Sequence, residues 1–180
     1  MATLNIYEAD APEKVTTYSN FETVAEKLSE IGVTLQRWVP ETKLKPDATE
    51  KEILSAFEGP VKKLRDKYGF QSADVISLHP NHPNKSEMRK KFLSEHTHSE
   101  DEARYFIEGE GLFYVHVEKQ VYGILCEKGD LINVPKNMKH WFDMGEKPTF
   151  RCIRVFTNAE GWVAKSTGSS IANNFPTIEK

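Results

Sequence analysis

The chain carries only two cysteines, Cys126 and Cys152, and they form no Cys-x-x-Cys pattern. That usage argues against a disulfide scaffold and fits reduced thiols in a cytoplasmic protein, where they pack rather than bind metal. No apolar run approaches the roughly 20 residues of a membrane span. The N-terminus, Met1-Ala2-Thr3-Leu4-Asn5, lacks the basic and apolar regions of a secretory signal, so a soluble cytoplasmic protein is expected. There is no excess of positive charge either. A formal charge of −3 and a pI near 6.1 argue against nucleic acid or an anionic membrane as partner. Internal repeats and low-complexity tracts are also missing. What remains is 38% apolar and 11% aromatic, the composition of an ordered globular chain. Its 180 residues suit one core, and a single domain spanning 1–180 is expected.

The first third mixes helix and strand. Residues 3–7 and 33–39 read as strands. Between them Ser19 and Glu22 have capping-box spacing, Phe21, Val24, Leu28 and Ile31 recur at helical intervals, and Gly32 closes the helix. Thr49 and Glu52 open a second helix with Ile53, Phe57, Val61 and Leu64 on one face, and Gly59-Pro60 predicts a break or kink there. Residues 73–78 read as a heavily buried strand and 86–93 as a short basic helix. His79 and His82 sit in the proline-rich connection between them and read as ordinary loop residues.

From residue 95 the texture changes. Short aromatic and β-branched runs at 104–107, 112–117, 121–126, 131–134, 141–144 and 150–156 alternate with turn signals at 108–111, 118–120, 128–130, 135–137 and 145–148. Such punctuation predicts a compact antiparallel sandwich or barrel with the helices outside. The N-terminal helix-and-strand region then covers 1–93 and the barrel core about 94–165.

Within that core, His96 and His98 share one face of an extended backbone. Glu102 returns to that face after the polar Ser99-Glu100-Asp101, with Arg104 on its side, and His140 starts a later strand with Phe142 on its own face. Three imidazoles and a carboxylate suit a divalent transition metal, and Fe, Ni, Co or Mn would all be accepted. His116 has no partner at ligand spacing and reads as a plain strand residue.

The spacing His96-x-His98-x-x-x-Glu102, with Gly109 beyond, resembles the first metal motif of the cupin superfamily. Gly129, Pro135 and His140 resemble the second. Lys90, Asn137 and Met144 depart from the cupin pattern at turn and packing positions, while all four ligand positions are kept. The likeness narrows to the acireductone dioxygenases of methionine salvage. It is carried by Lys91-Phe92-Leu93-Ser94-Glu95-His96-Thr97-His98, Asp74-Val75-Ile76-Ser77-Leu78 and Gly111-Leu112-Phe113. Leu125-Cys126-Glu127-Lys128, Asp130-Leu131-Ile132, His140-Trp141-Phe142-Asp143-Met144-Gly145 and Glu160-Gly161-Trp162 add to it.

This resemblance implies a mainly β, cupin-type double-stranded antiparallel β-barrel (jelly roll). It implies one Fe2+ or Ni2+ per monomer, with Co2+ or Mn2+ compatible, held by His96, His98, Glu102 and His140. The implied substrates are 1,2-dihydroxy-3-keto-5-methylthiopentene and O2. Fe2+ would direct cleavage to 4-methylthio-2-oxobutanoate and formate, and Ni2+ to 3-methylthiopropanoate, formate and CO. Arg104 would favour the substrate dianion. Glu95 is linked by the same resemblance to metal incorporation, Asp101 to transmission of local structural change, and Phe92, Phe142 and Trp162 to an apolar wall for the methylthio tail. A monomer is expected. The competing readings are a cupin isomerase that uses the same metal without oxygen, and a non-catalytic cupin that binds a small molecule.

Overall fold

The structure is a computed structural model that describes residues 2–38, 43–158 and 163–180. The chain runs through β1 (Thr3–Glu8), β2 (Ala11–Tyr18), α1 (Phe21–Ser29), β3 (Thr34–Arg37), α2 (Glu50–Ala56), α3 (Glu58–Tyr68), β4 (Ser72–Leu78) and α4 (Lys85–Leu93). It continues through β5 (His96–Thr97), β6 (Glu102–Val117), β7 (Gln120–Glu127), β8 (Asp130–Val134), β9 (Lys139–Asp143), β10 (Phe150–Phe156) and β11 (Lys165–Ser166). One antiparallel sheet has the order β11-β5-β9-β6-β7-β1-β2. The other has the order β4-β10-β6-β8-β3. Strand β6 belongs to both, so the two sheets close on each other as a cupin-type barrel.

Alternation along β6 sorts its side chains. Ala103, Tyr105 and Ile107 pack under α2 and α3 with Ile53, Phe57, Val61 and Leu64. Glu102 and Arg104 line the lumen cavity, and Phe106 joins the lumen core. Past residue 107 the parity reverses, because Phe113 and Val115 point inward while Tyr114 packs outside with Tyr7, Trp141 and Phe175. The reversal comes from a bulge. Phe106 pairs with Cys152 and Glu108 with Arg151, so Ile107 is left without a counterpart on β10.

The turn expected at 108–111 is therefore this bulged crossing inside one long strand. Half-exposed glutamates and two glycines mark the place where β6 leaves one sheet for the other. Gly109 adopts φ 74°, and a Cβ there would lie 1.8 Å from the Thr149 carbonyl oxygen. Gly111 makes room for the Phe142 ring, which a Cβ would meet at 2.3 Å.

Several local expectations change. Asn20, not Ser19, caps α1, accepting from the Thr23 N–H at 2.9 Å. Gly32 (φ 82°) turns the chain after that helix, and the Val33 N–H returns to the Leu28 carbonyl. The Thr49–Glu52 capping box is formed. The break near Gly59-Pro60 falls at Phe57 (φ −108°), so Pro60 sits in the first turn of α3, where no intrahelical N–H bond is lost. Strand β4 is mostly half-buried, because it forms one edge of its sheet. Strands β2 and β11, both at the far edges of the other sheet, were not foreseen. Part of the strand expected at 33–39 lies outside the described residues.

Two glycines give opposite expectations. Gly111→Ala drives a methyl into the Phe142 ring and should cost about 1–3 kcal/mol, seen as a lowered chemical-unfolding midpoint. Gly59→Ala meets nothing within 4 Å in a helix and should leave stability unchanged or raise it by up to about 1 kcal/mol.

Candidate metal centre

Three histidines converge inside the barrel. His96 on β5 and His140 on β9 are directly opposite each other, and Val115 of β6 flanks His140 on its other side. His98 follows β5 immediately. The ligand atoms of His96, His98 and His140 lie within 4.8 Å of one another, and all three residues are buried. Their ring orientations are fixed from behind. The Nδ1 atoms contact the carbonyls of Ser94 (2.7 Å), Val163 (3.1 Å) and Met138 (2.8 Å). A carbonyl only accepts, so each Nδ1 carries the proton and each Nε2 keeps a lone pair.

Glu102 completes the set at 4% exposure. Its Oε2 stands 3.1 Å from His98 Nε2 and 3.9 Å from His140 Nε2. Its Oε1 accepts from Arg104 Nη2 at 2.9 Å. Burial works against the Glu102 charge, yet the Arg104 guanidinium beside it holds its carboxyl well below the usual range. The Nε2 and Oε2 atoms are all acceptors facing one another without a proton between them. A cation relieves that repulsion, and three imidazoles with a carboxylate suit a divalent transition metal without selecting which one.

The cavity over this cluster measures about 250 Å³. Phe92, Met88 and Lys91 of α4 line it, with Ile76, Phe113, Phe142, Arg154 and Ala164. The Arg104 guanidinium lies over the rings of Phe142 (4.6 Å) and Phe113 (5.0 Å). Its Nε and Nη1 are buried with no hydrogen-bond partner. Such donors are costly unless a ligand meets them.

Glu95, Asp101 and His116 lie around the cluster. Glu95 faces away from it, and its buried carboxylate binds His116 Nδ1 (2.8 Å) and accepts from Thr167 Oγ1 (2.8 Å). His116 thus has a partner that strand spacing did not reveal. The Thr167 N–H also returns to the Glu95 carbonyl, which straps residues 163–168 beside β5. Asp101 accepts from the Lys136 N–H at 2.8 Å, and the Asn137 N–H donates to the His98 carbonyl. Asn137 stands at φ 62°, a left-handed conformation that asparagine tolerates better than most residues. Met144, another of the three departures, is buried in the lumen core. His79 and His82 stay in their loop, away from the cluster. Both cysteines are free and buried, and burial pushes the Cys152 thiol up to about 12, consistent with packing. Trp162 lies outside the described residues. Of the cavity lining, Ile76, Met88, Lys91, Phe113, Arg154 and Ala164 were missed. Only Arg154 offered a signal, two residues before the Phe that ends its strand.

A double-stranded β-barrel with three inward imidazoles and a carboxylate defines a metal-binding protein of the cupin class. Residues 3–164 match the model of the ARD/ARD′ family. The chain belongs to that family. It is 54% identical over 158 residues to an acireductone dioxygenase of Methylococcus capsulatus, covering 88% of this chain and 85% of the relative. It is 49% identical over 180 residues to an acireductone dioxygenase of Aquifex aeolicus, covering 100% of this chain and 98% of the other. Among solved structures it resembles the acireductone dioxygenase from Bacillus anthracis with a cadmium ion in its active centre. That match has a TM-score of 0.80 at 31% identity, over 92% of this chain and 98% of that one.

Burial lowers the pKa of His96 and, with His96 alongside, pushes that of His140 down to about 3 from 6.5. Below pH 6.5 the unfolded chain then binds more protons than the folded one, so stability falls as pH drops towards 3. Chelator-treated protein should therefore be less stable to urea at pH 5 than at pH 7, a window above the ordinary range of Glu102. His140→Asn should flatten that slope.

Proposed function

We propose that this protein is a metal-dependent acireductone dioxygenase of methionine salvage. It would take 1,2-dihydroxy-3-keto-5-methylthiopentene and O2 to 4-methylthio-2-oxobutanoate and formate with Fe2+, or to 3-methylthiopropanoate, formate and CO with Ni2+. The observation that carries the reading is the pairing of a four-acceptor cluster with the unpartnered donors of Arg104 inside one cavity. Family membership adds independent support.

A divalent metal held by His96, His98, Glu102 and His140 would supply Lewis acidity towards two adjacent substrate oxygens. The remaining chemistry belongs to the chain. Glu102 and Arg104 cancel each other's charge, so a divalent cation leaves the cluster two positive charges in excess, a match for an enediolate dianion. Arg104 presents Nε and Nη1 to that anion, and Phe113 and Phe142 hold its guanidinium plane. Phe92 and Phe142, edge to face at 6.2 Å, form with Met88 and Ile76 an apolar wall that excludes water and receives a methylthio tail. We assign Trp162 to the same wall from the family likeness.

Glu95 is assigned to metal incorporation, because it holds the strap that supplies the Val163 carbonyl to His98. Asp101 is assigned to transmitting movement, because it clips the turn before His140 to the loop before Glu102. No described helix is long and apolar enough to cross a membrane, which is compatible with a cytoplasmic enzyme. We take it to act as a monomer of a single cupin-type domain.

Metal-loaded protein mixed with the acireductone should consume oxygen. An isomerase or a binding protein would leave oxygen untouched and so contradict this assignment. Arg104→Ala should keep its metal and lose roughly 100-fold or more in kcat, the scale of removing one preorganised donor to a developing anion. Full metal occupancy in His140→Ala, by mass spectrometry, would contradict the ligand assignment.

A further inference from the structure

We propose that Arg154 is a second substrate contact. It reads the third of the acireductone's three contiguous oxygens and thereby sets specificity. The inference rests on the acireductone assignment above and extends it to a residue outside the metal motifs.

Arg154 stands on β10 directly opposite Arg104 of β6, and both line the cavity. Its neighbours Ile153 and Val155 face outward under the helices, so alternation turns Arg154 inward. A half-buried cation at a barrel wall is costly unless it is paired. The pairing comes from Asp74, its partner across on β4, which takes Nε at 2.9 Å and Nη2 at 2.5 Å. The guanidinium also lies over the Phe156 ring at 5.3 Å, and that ring packs against His98. Held along one edge by a carboxylate and over one face by a ring, it has little freedom. Its Nη1 has no hydrogen-bond partner among the described residues.

The chemistry of the substrate supplies a use for that nitrogen. An acireductone bears oxygens on three adjacent carbons, and chelation uses two. A site that spends a fixed cationic donor on the third oxygen favours chelators that carry it, because only they complete the charge-assisted hydrogen bond. Asp74 is the positioning residue, since it holds the edge of the guanidinium that the substrate does not reach.

The test uses metal-loaded protein under anaerobic conditions and two ring probes titrated by calorimetry. Reductic acid (2,3-dihydroxycyclopent-2-enone) carries three contiguous oxygens, and 2-hydroxycyclopent-2-enone carries two. Wild-type protein should prefer the first. Arg154→Leu and the milder Arg154→Gln should weaken reductic acid by roughly 10-fold or more and leave the two-oxygen probe within about twofold. Metal content and unfolding midpoint are measured on every sample, and the comparison is made in whichever variant keeps its metal. Asp74→Asn should lose part of the preference with its metal retained. Unchanged preference in Arg154→Gln, or equal weakening of both probes, overturns the assignment and leaves Arg154 with a structural ion pair. Wild-type protein that takes up no oxygen with the acireductone overturns the functional reading itself. Normal uptake together with preserved preference in Arg154→Gln overturns the Arg154 assignment alone.

Discussion

A carboxylate at 4% exposure in the wall of a barrel has to be compensated, and the rest of the site follows from how Glu102 is. Desolvation of an isolated charge there would drive it to its neutral form. Arg104, two residues along the same strand and therefore on the same face, supplies a charged hydrogen bond to Oε1. The other oxygen meets imidazole lone pairs instead of donors. Arg104 thus keeps Glu102 ionised, while the histidines make that ionised group useful only to a cation. Removing Arg104 would take away the unpartnered donors of the cavity, while a bound divalent cation would keep Glu102 ionised in its place.

The histidines are aimed by backbone rather than by neighbouring side chains. Ser94, Met138 and Val163 offer the three carbonyls, and each lies in or beside a short connection. Those connections are tied to one another. Asp101 and the His98 carbonyl clip the turn at 135–137, and Glu95 with Thr167 straps the segment carrying Val163. Ring orientation, and with it the choice of Nε2 as donor atom, therefore depends on bonds several residues away from the cluster. The bulge in β6 has a comparable reach. By reversing parity it lets one strand send Glu102 and Arg104 into the lumen from one sheet, and Phe113 into the same cavity from the other.

What could be read beforehand was the local and periodic part. The Thr49–Glu52 capping box, the helical face of Ile53 to Leu64, and the Glu102/Arg104 alternation are set by neighbours within a few residues. The crossing at 108–111 was misread because glutamates and glycines look the same in a turn and in a bulge that changes sheets. Strand β2 was missed since its residues are polar and exposed at a sheet edge, which erases the inside–outside alternation. Glu95 and His116 are 21 residues apart, and Arg154 meets Asp74 across 80. Pairings at such range are products of sheet register, which no local pattern encodes.

Metal-edge X-ray absorption on the isolated protein tests the central arrangement most directly, because it counts imidazoles around a single ion. One metal per chain with scattering from three imidazoles and only nitrogen and oxygen donors is the result expected of His96, His98, His140 and Glu102. Fewer than three imidazoles, or a sulfur donor from either cysteine, would contradict it.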